Sequence, residues 1–286
     1  MNSRCGQCER ILKRQNFRSM NIQTLLSVQR FALVVCVLLI AGLVHAQQYL
    51  PTLDVKAGET FVVEEDTLYV GQLRLGDSAR LVLGGGHQHY FIKADRVTTG
   101  TGVVWDGRGA RGANGKAGLS GQTPTTACGT GTVGKAGEPG QAGMAAKSLT
   151  LETIELALGG VLEINLSGGN GGDGGRGGDG GRGGRSTQHC DSHGGNGGDG
   201  GTGGNGGPGG RLNLKVANIP AAELLTRVLL INKGGYAGLG GEPGKGGLRG
   251  EGSREATSRK GNGGKTGAAG KRGTDGPALF QTLVQQ

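Results

Sequence analysis

The chain is poor in the side chains that normally fill a protein interior. Aromatic residues make up 3% of its 286 residues, and Trp105 is its single tryptophan. An ordinary enzyme of this length buries many more large side chains to offset its conformational entropy. An interior built only of aliphatic and aromatic groups is therefore excluded across the glycine-rich half. Proline is also scarce, at seven residues. That argues against an intermolecular collagen triple helix, which relies on proline and on long unbroken triplets. Long hydrophobic runs are missing as well. The uncharged apolar stretch 31–44, FALVVCVLLIAGLV, has 14 residues, whereas a spanning helix needs about 20.

That stretch follows Arg30 and ends at Val44-His45-Ala46, with small residues at the two positions that signal peptidase reads. Residues 1–46 therefore read as a secretory signal peptide cut after Ala46. An uncleaved anchor is the alternative, and Met20 is an alternative start to Met1. Cys36 lacks the small preceding residue of a lipoprotein site and reads as apolar filler. The whole chain carries a formal charge of +9. Without the leader it is only about +4, so no strong attraction to nucleic acid or membrane follows. Membrane contact is expected only through the leader or an uncleaved anchor. Two cysteines remain, Cys128 and Cys190. An even number in an oxidising compartment implies one disulfide, with free or intermolecular thiols as the alternative. The expected location is secreted or cell-surface, whether extracellular or periplasmic.

What the chain does have is glycine, 65 residues of it, or about 23% against roughly 7% in average usage. Residues 47–108 are ordinary in glycine. Segments 67–70, 72–75 and 80–83 alternate apolar and polar residues, the period of half-buried strands. This region is expected to be a β-rich base resembling a small solenoid. From Gly109 the glycines take a strict period of three in six runs: 109–121, 131–143, 168–184, 194–210, 234–250 and 261–276. Fifty of the glycines lie in them. The runs come in pairs of matched length. Cys128 falls in the turn of the first pair and Cys190 in the turn of the second. Apolar connectors at 144–167 and 211–233 separate the pairs, and a tail, 277–286, follows. Residues 220–230 read either as strand or as a short helix after Pro220.

Glycine at every third position leaves one bare edge along a polyproline II helix, which has three residues per turn. Runs three and four read Gly-Gly-X and have two bare edges. The expected fold is thus mostly irregular and β. It is a six-helix antiparallel polyproline II sandwich, three columns by two layers, over 109–276 on the small base. The collagen-like triplets of these six runs resemble the glycine-rich springtail (snow flea) antifreeze proteins. That resemblance implies a disulfide-braced bundle of such helices. A bridge between Cys128 and Cys190 would join adjacent columns. The main alternative for the region is a flexible glycine-rich linker.

The outward residues of the middle runs are Asn170, Asp173, Arg176, Asp179 and Arg182, and Asn196, Asp199, Thr202 and Asn205. At about 9.3 Å apart along a run they are not expected to touch one another. They read as a rigid polar array. His189 and His193 are weak candidates for a metal pair, as are His87 and His89. The segment GGRGGDGGRGGR resembles a nucleic-acid-binding repeat, but interleaved aspartates and absent aromatics argue against nucleic acid. Glu64, Glu65, Asp66, Asp95 and Asp106 are scattered, and no nucleophile motif stands out. The expected function is a non-catalytic structural or adhesive protein facing a cell surface, glycan or matrix, without a cofactor. Ice binding and a solenoid polysaccharide-active enzyme are the alternatives.

Overall fold

Apolar residues at every second position give a strand one buried face. This pattern recurs in the connectors, beyond the base where it is easiest to see. A computed structural model describes residues 49–252 and 257–283. The leader expected over 1–46, with Met20, Cys36 and the cleavage site, lies outside the described residues. Among the described residues no helix is long and apolar enough to cross a membrane.

Among the described residues there are eleven strands and one helix. The base carries β1 (Tyr49–Val55), β2 (Thr60–Val63), β3 (Thr67–Leu75), β4 (Arg80–Leu83), β5 (His89–Thr99) and β6 (Val104–Asp106). The connectors carry β7 (Ser148–Leu158), β8 (Leu162–Asn165), β9 (Leu212–Val216), α1 (Ala221–Arg227) and β10 (Val228–Ile231). The tail carries β11 (Ala278–Thr282). Odd-numbered strands make one sheet in the order β1-β3-β5-β7-β9-β11, and even-numbered strands make the other, β10-β8-β6-β4-β2. Every pairing is parallel. Each coil of chain thus lays one strand on each sheet and then moves up by one strand. Leu73, Leu81, Ile92, Trp105, Leu151, Leu162, Ile164 and Leu214 are wholly buried in the core. A fully buried side chain of this kind contributes about 1.5–3 kcal/mol.

This architecture replaces the expected six-helix polyproline II sandwich on a small base. Among the described residues the regular structure is strand in two parallel sheets plus one helix, and the glycine runs are neither strand nor α-helix. The physical reason lies in the connectors. Leu149, Leu151, Leu156, Leu212 and Leu214 bury on the same alternating pattern as the base strands. The sheets therefore continue beneath every glycine run. The 220–230 ambiguity resolves as both readings in sequence, α1 and then β10. Pro220 is the N-cap of α1, and its carbonyl accepts from the amides of Glu223 and Leu224.

The runs leave the solenoid as three hairpins at equivalent corners, between β6 and β7, β8 and β9, and β10 and β11. Strands in a sheet lie about 4.8 Å apart, and the hairpins inherit that stacking. Runs one, three and five bond in series and in the same direction. The amide of Gly112 donates to Asn170 O at 2.8 Å, and that of Gly171 to Tyr236 O at 2.8 Å. Runs two, four and six do likewise, through Gly134 to Asn196 O at 2.9 Å and Gly197 to Asn262 O at 2.8 Å. Within a hairpin the runs are antiparallel, as in Gln141 N to Ala113 O and Gly195 N to Gly181 O, both 2.8 Å. Such approach leaves no room for a side chain. A Cβ on Gly175 would sit 1.9 Å from Lys116 O. At the far end Cys128 and Cys190 are disulfide-bonded, with Cα atoms 5.7 Å apart and a sequence separation of 62.

Two outcomes follow. Gly175→Ala is expected to destabilise by more than about 3 kcal/mol. Gly263→Ala, where the nearest atom is Gly244 O at 3.7 Å, is expected to stay within about 0.5 kcal/mol. Thermal melts of the two variants check the contrast, and equal melting would contradict it. Replacing both cysteines by serine is expected to cost about 2–4 kcal/mol, since the bridge closes a long loop. Urea titration measures that loss.

Candidate functional site

In a Gly-Gly-X run, X is the only residue with a side chain, so the chemistry of the run surface rests on X. The expected array, Asn170 to Asn205, sits on runs three and four, and most of its members bond to the next run. Asn170 Oδ1 accepts from the Tyr236 amide at 2.9 Å, Asp173 Oδ1 from Leu239 at 2.8 Å and Asp179 Oδ1 from Lys245 at 2.8 Å. On run four, Asn196 Oδ1 accepts from Asn262 at 2.9 Å, Asp199 Oδ1 from Lys265 at 2.7 Å and Asn205 Oδ1 from Lys271 at 2.8 Å. All six bonds span 66 residues. Asn114 Oδ1 makes the same kind of bond one column earlier, accepting from the Asp173 amide at 2.9 Å. These side chains therefore rivet neighbouring runs as well as lining a surface.

Arg176, Arg182 and Thr202 are the members of the array outside this ladder, and all three are exposed. Spacing excluded contact along a run, and here the structure differs. An Arg176 guanidinium nitrogen lies 2.7 Å from Asp179 Oδ1, because the long arginine side chain bridges one turn. Arg182 pairs with Glu251, and Arg111 reaches Asp173 across runs at 3.4 Å. Aspartate and arginine thus alternate along run three, as Asp173, Arg176, Asp179 and Arg182, and Arg111 of run one and Glu251 add charges beside them. Exposed pairs of this kind contribute only about 0–1 kcal/mol each, so the face has charge without depending on it for stability. The Lys245 amide, and then the charge and hydrogen bond of Arg176, outweigh slight desolvation and hold the Asp179 carboxyl below its ordinary pKa.

The metal candidates do not converge. His193 spends Nδ1 accepting the Arg259 amide at 2.9 Å, and Cys190 is in the disulfide. His87 lies edge-on to Tyr90, with ring centres 6.0 Å apart. Among the described residues no group of three or more His, Cys, Asp or Glu gathers to hold a metal ion. Near the hairpin turns, Asp191, His193, Asn196, Arg259 and Lys260 line an open depression of about 620 Å³.

Where the first hairpin leaves the solenoid, Asp106 is buried between two arginines. Arg80 lies 2.8 Å from its Oδ2, and Arg108 reaches both carboxylate oxygens, at 3.0 and 2.8 Å. Burial pushes the Asp106 pKa up, but the bonds and charge of Arg108, with Arg80, hold it below the usual carboxylate range. The sheet also carries polar residues that sequence reasoning left scattered. Tyr49, Gln72, Asp95, Arg96 and Glu155 line an open depression of about 450 Å³. Arg96 and Glu155 pair at 2.6 Å, and the Tyr49 hydroxyl donates to Asp95 at 3.4 Å. Gln72, Arg96 and Glu155 are register partners on β3, β5 and β7. The coil period that would have aligned them is broken by the first glycine hairpin.

The ladder yields a substitution test. Asp179→Asn keeps the acceptor and is expected to lie within about 0.5 kcal/mol of the parent at neutral pH. Asp179→Ala removes it and is expected to cost about 0.5–1 kcal/mol, a small figure because the side chain is 42% exposed. A carboxyl with a depressed folded pKa stabilises above its unfolded pKa, about 3.9, and loses that contribution as pH falls through the folded value. The parent is therefore expected to lose more stability in acid than Asp179→Asn does, and melts over a pH series measure the difference.

No family model matches the chain, and no curated protein does. Among solved structures it is similar to the nine polyproline type II helical bundle springtail antifreeze protein from Granisotoma rainieri. Identity is 26%, over 63% of this chain and 97% of that one, with a TM-score of 0.11. Superposition that poor carries no shared fold. The resemblance expected from the triplets is corrected accordingly: this chain is a strand-rich parallel fold, and the likeness is weak.

Proposed function

We propose that the protein is a secreted, non-catalytic structural or adhesive protein. It presents a rigid polar surface to a cell surface, glycan or matrix component. The observation that carries the proposal is the 66-residue ladder. It fixes the spacing of exposed side chains on the hairpin faces before any partner arrives, and such pre-organisation lowers the entropic cost of binding. The Arg176, Asp179 and Arg182 row supplies both signs of charge and many hydrogen-bonding groups, which suits a polar partner with its own repeat. The disulfide is compatible with an oxidising, extracellular setting.

The test is binding of labelled protein to whole cells, a glycan panel and matrix components. A double variant, Arg176→Ala with Arg182→Ala, is expected to weaken binding about tenfold or more while its melting stays near the parent's. Thr202→Ala on the other face is the control. Binding unaffected by the double variant would remove this face from the reading. Ice shaping or thermal hysteresis would replace adhesion with ice binding, and turnover of a polysaccharide would overturn the non-catalytic assignment.

A further inference from the structure

The runs contain five Asn-Gly steps, at Asn114, Asn170, Asn196, Asn205 and Asn262. Asn-Gly is the dipeptide most open to intramolecular attack on the side-chain amide, because glycine has no Cβ to hinder the following backbone nitrogen. That attack requires two things. The glycine amide must give up its proton, and the asparagine side chain must swing over the backbone. A hydrogen bond from the amide opposes the first, and a bond to Oδ1 opposes the second.

The structure divides the five steps sharply. The amides of Gly115, Gly171, Gly197 and Gly206 donate to Asp173 O, Tyr236 O, Asn262 O and Lys271 O, at 2.8 Å in each case. The Oδ1 atoms of Asn114, Asn170, Asn196 and Asn205 each accept an amide from the next run. Four steps are therefore held at both reacting ends. Asn262 differs at both. It lies in run six, the last of its layer, so no further run receives the Gly263 amide or donates to the Asn262 side chain among the described residues. Both residues are exposed. The Asp-Gly steps at 173, 179, 199 and 275 also have their glycine amides engaged, by Leu239 O, Lys245 O, Lys265 O and Asn232 O.

We propose that the Asn262-Gly263 step is the site of spontaneous, age-dependent deamidation in the folded protein, and that the runs protect the other four. The Gly263 nitrogen loses its proton to solvent hydroxide and attacks Asn262 Cγ. The N–Cγ bond forms, the Cγ–Nδ2 bond breaks, and ammonia leaves with a proton from water. Water then opens the cyclic imide at either carbonyl, giving aspartate or isoaspartate. The net change is one water consumed and one ammonia released, without oxidant or cofactor. The product adds a negative charge at the layer edge. In its isoaspartate form it also adds one backbone atom to the first triplet of run six, breaking the three-residue phase there.

The experiment incubates the full chain at neutral pH and physiological temperature, then maps peptides with aspartate and isoaspartate resolved. Conversion at Asn262 is expected to exceed that at the other four by on the order of tenfold or more, because each of those must first open its hydrogen bonds. In denaturant with the disulfide reduced, the five rates are expected to converge. The proposal fails if any protected step keeps pace in the folded chain. It also fails if Asn262 is as slow as the others while reacting normally when unfolded. Gly263→Ala has room for its Cβ, so the fold is retained. It is expected to slow reaction at Asn262, and an unchanged rate would overturn the imide route.

Discussion

Everything outside the solenoid depends on close contact between backbones. A carbonyl lies where a Cβ would otherwise stand, and an amide of one run donates to an oxygen of the next. Each such bond contributes only about 0.5–1.5 kcal/mol net. Ordering glycine costs more entropy than ordering any other residue. A free-standing glycine hairpin would therefore have little to hold it. The balance changes because both ends of each hairpin are strands already fixed in sheets, and the disulfide ties the first two hairpins at their tips. Leu151, Ile164 and Trp105 order the coils, and the coils bring the glycines within bonding distance of one another.

The sheets also set the register. From the second hairpin to the third, the side-chain bonds hold one offset along both layers, from the Asn170 pair on run three to the Asn205 pair on run four, and the His193 to Arg259 bond at the turns keeps it. A single inserted residue on either run would move every glycine beyond it off its carbonyl. The Asn and Asp side chains add a second lock, because an acceptor two bonds past Cβ reaches the neighbouring amide. The middle runs therefore accept arginine or threonine at a few X positions and keep Asn or Asp at most of the others.

The sequence made parts of this legible and hid others for physical reasons. Alternation located 80–83, which forms β4 with those bounds, because burial on one face writes a period of two. The period of three showed where a Cβ is excluded, and the turn positions of Cys128 and Cys190 pointed to the observed bridge. The common solenoid was hidden because the glycine hairpins push consecutive coils some 60 residues apart, so β6 and β8 do not look like neighbours. The ladder was hidden too. Asn170 on a glycine run reads as a solvated polar residue, and only the placement of Tyr236 beside it gives its Oδ1 a donor.

That placement separates two kinds of polar residue that look alike in composition. Asn170, Asp173, Asp179, Asn196, Asp199 and Asn205 each turn one oxygen inward to the scaffold, so changing them alters both the surface and its support. Among the described residues the side chains of Arg176, Arg182 and Thr202 have no backbone partner across the runs, so substitutions there can change the surface alone. Recognition and stability are separable only at this second group. Arg176 also shows how the two groups connect, since its guanidinium rests on Asp179, whose carboxylate is fixed by the Lys245 amide. A cation on a rigid counter-ion keeps its position without a packed core around it. In a chain this poor in large side chains, that is the means available for holding a charge in place.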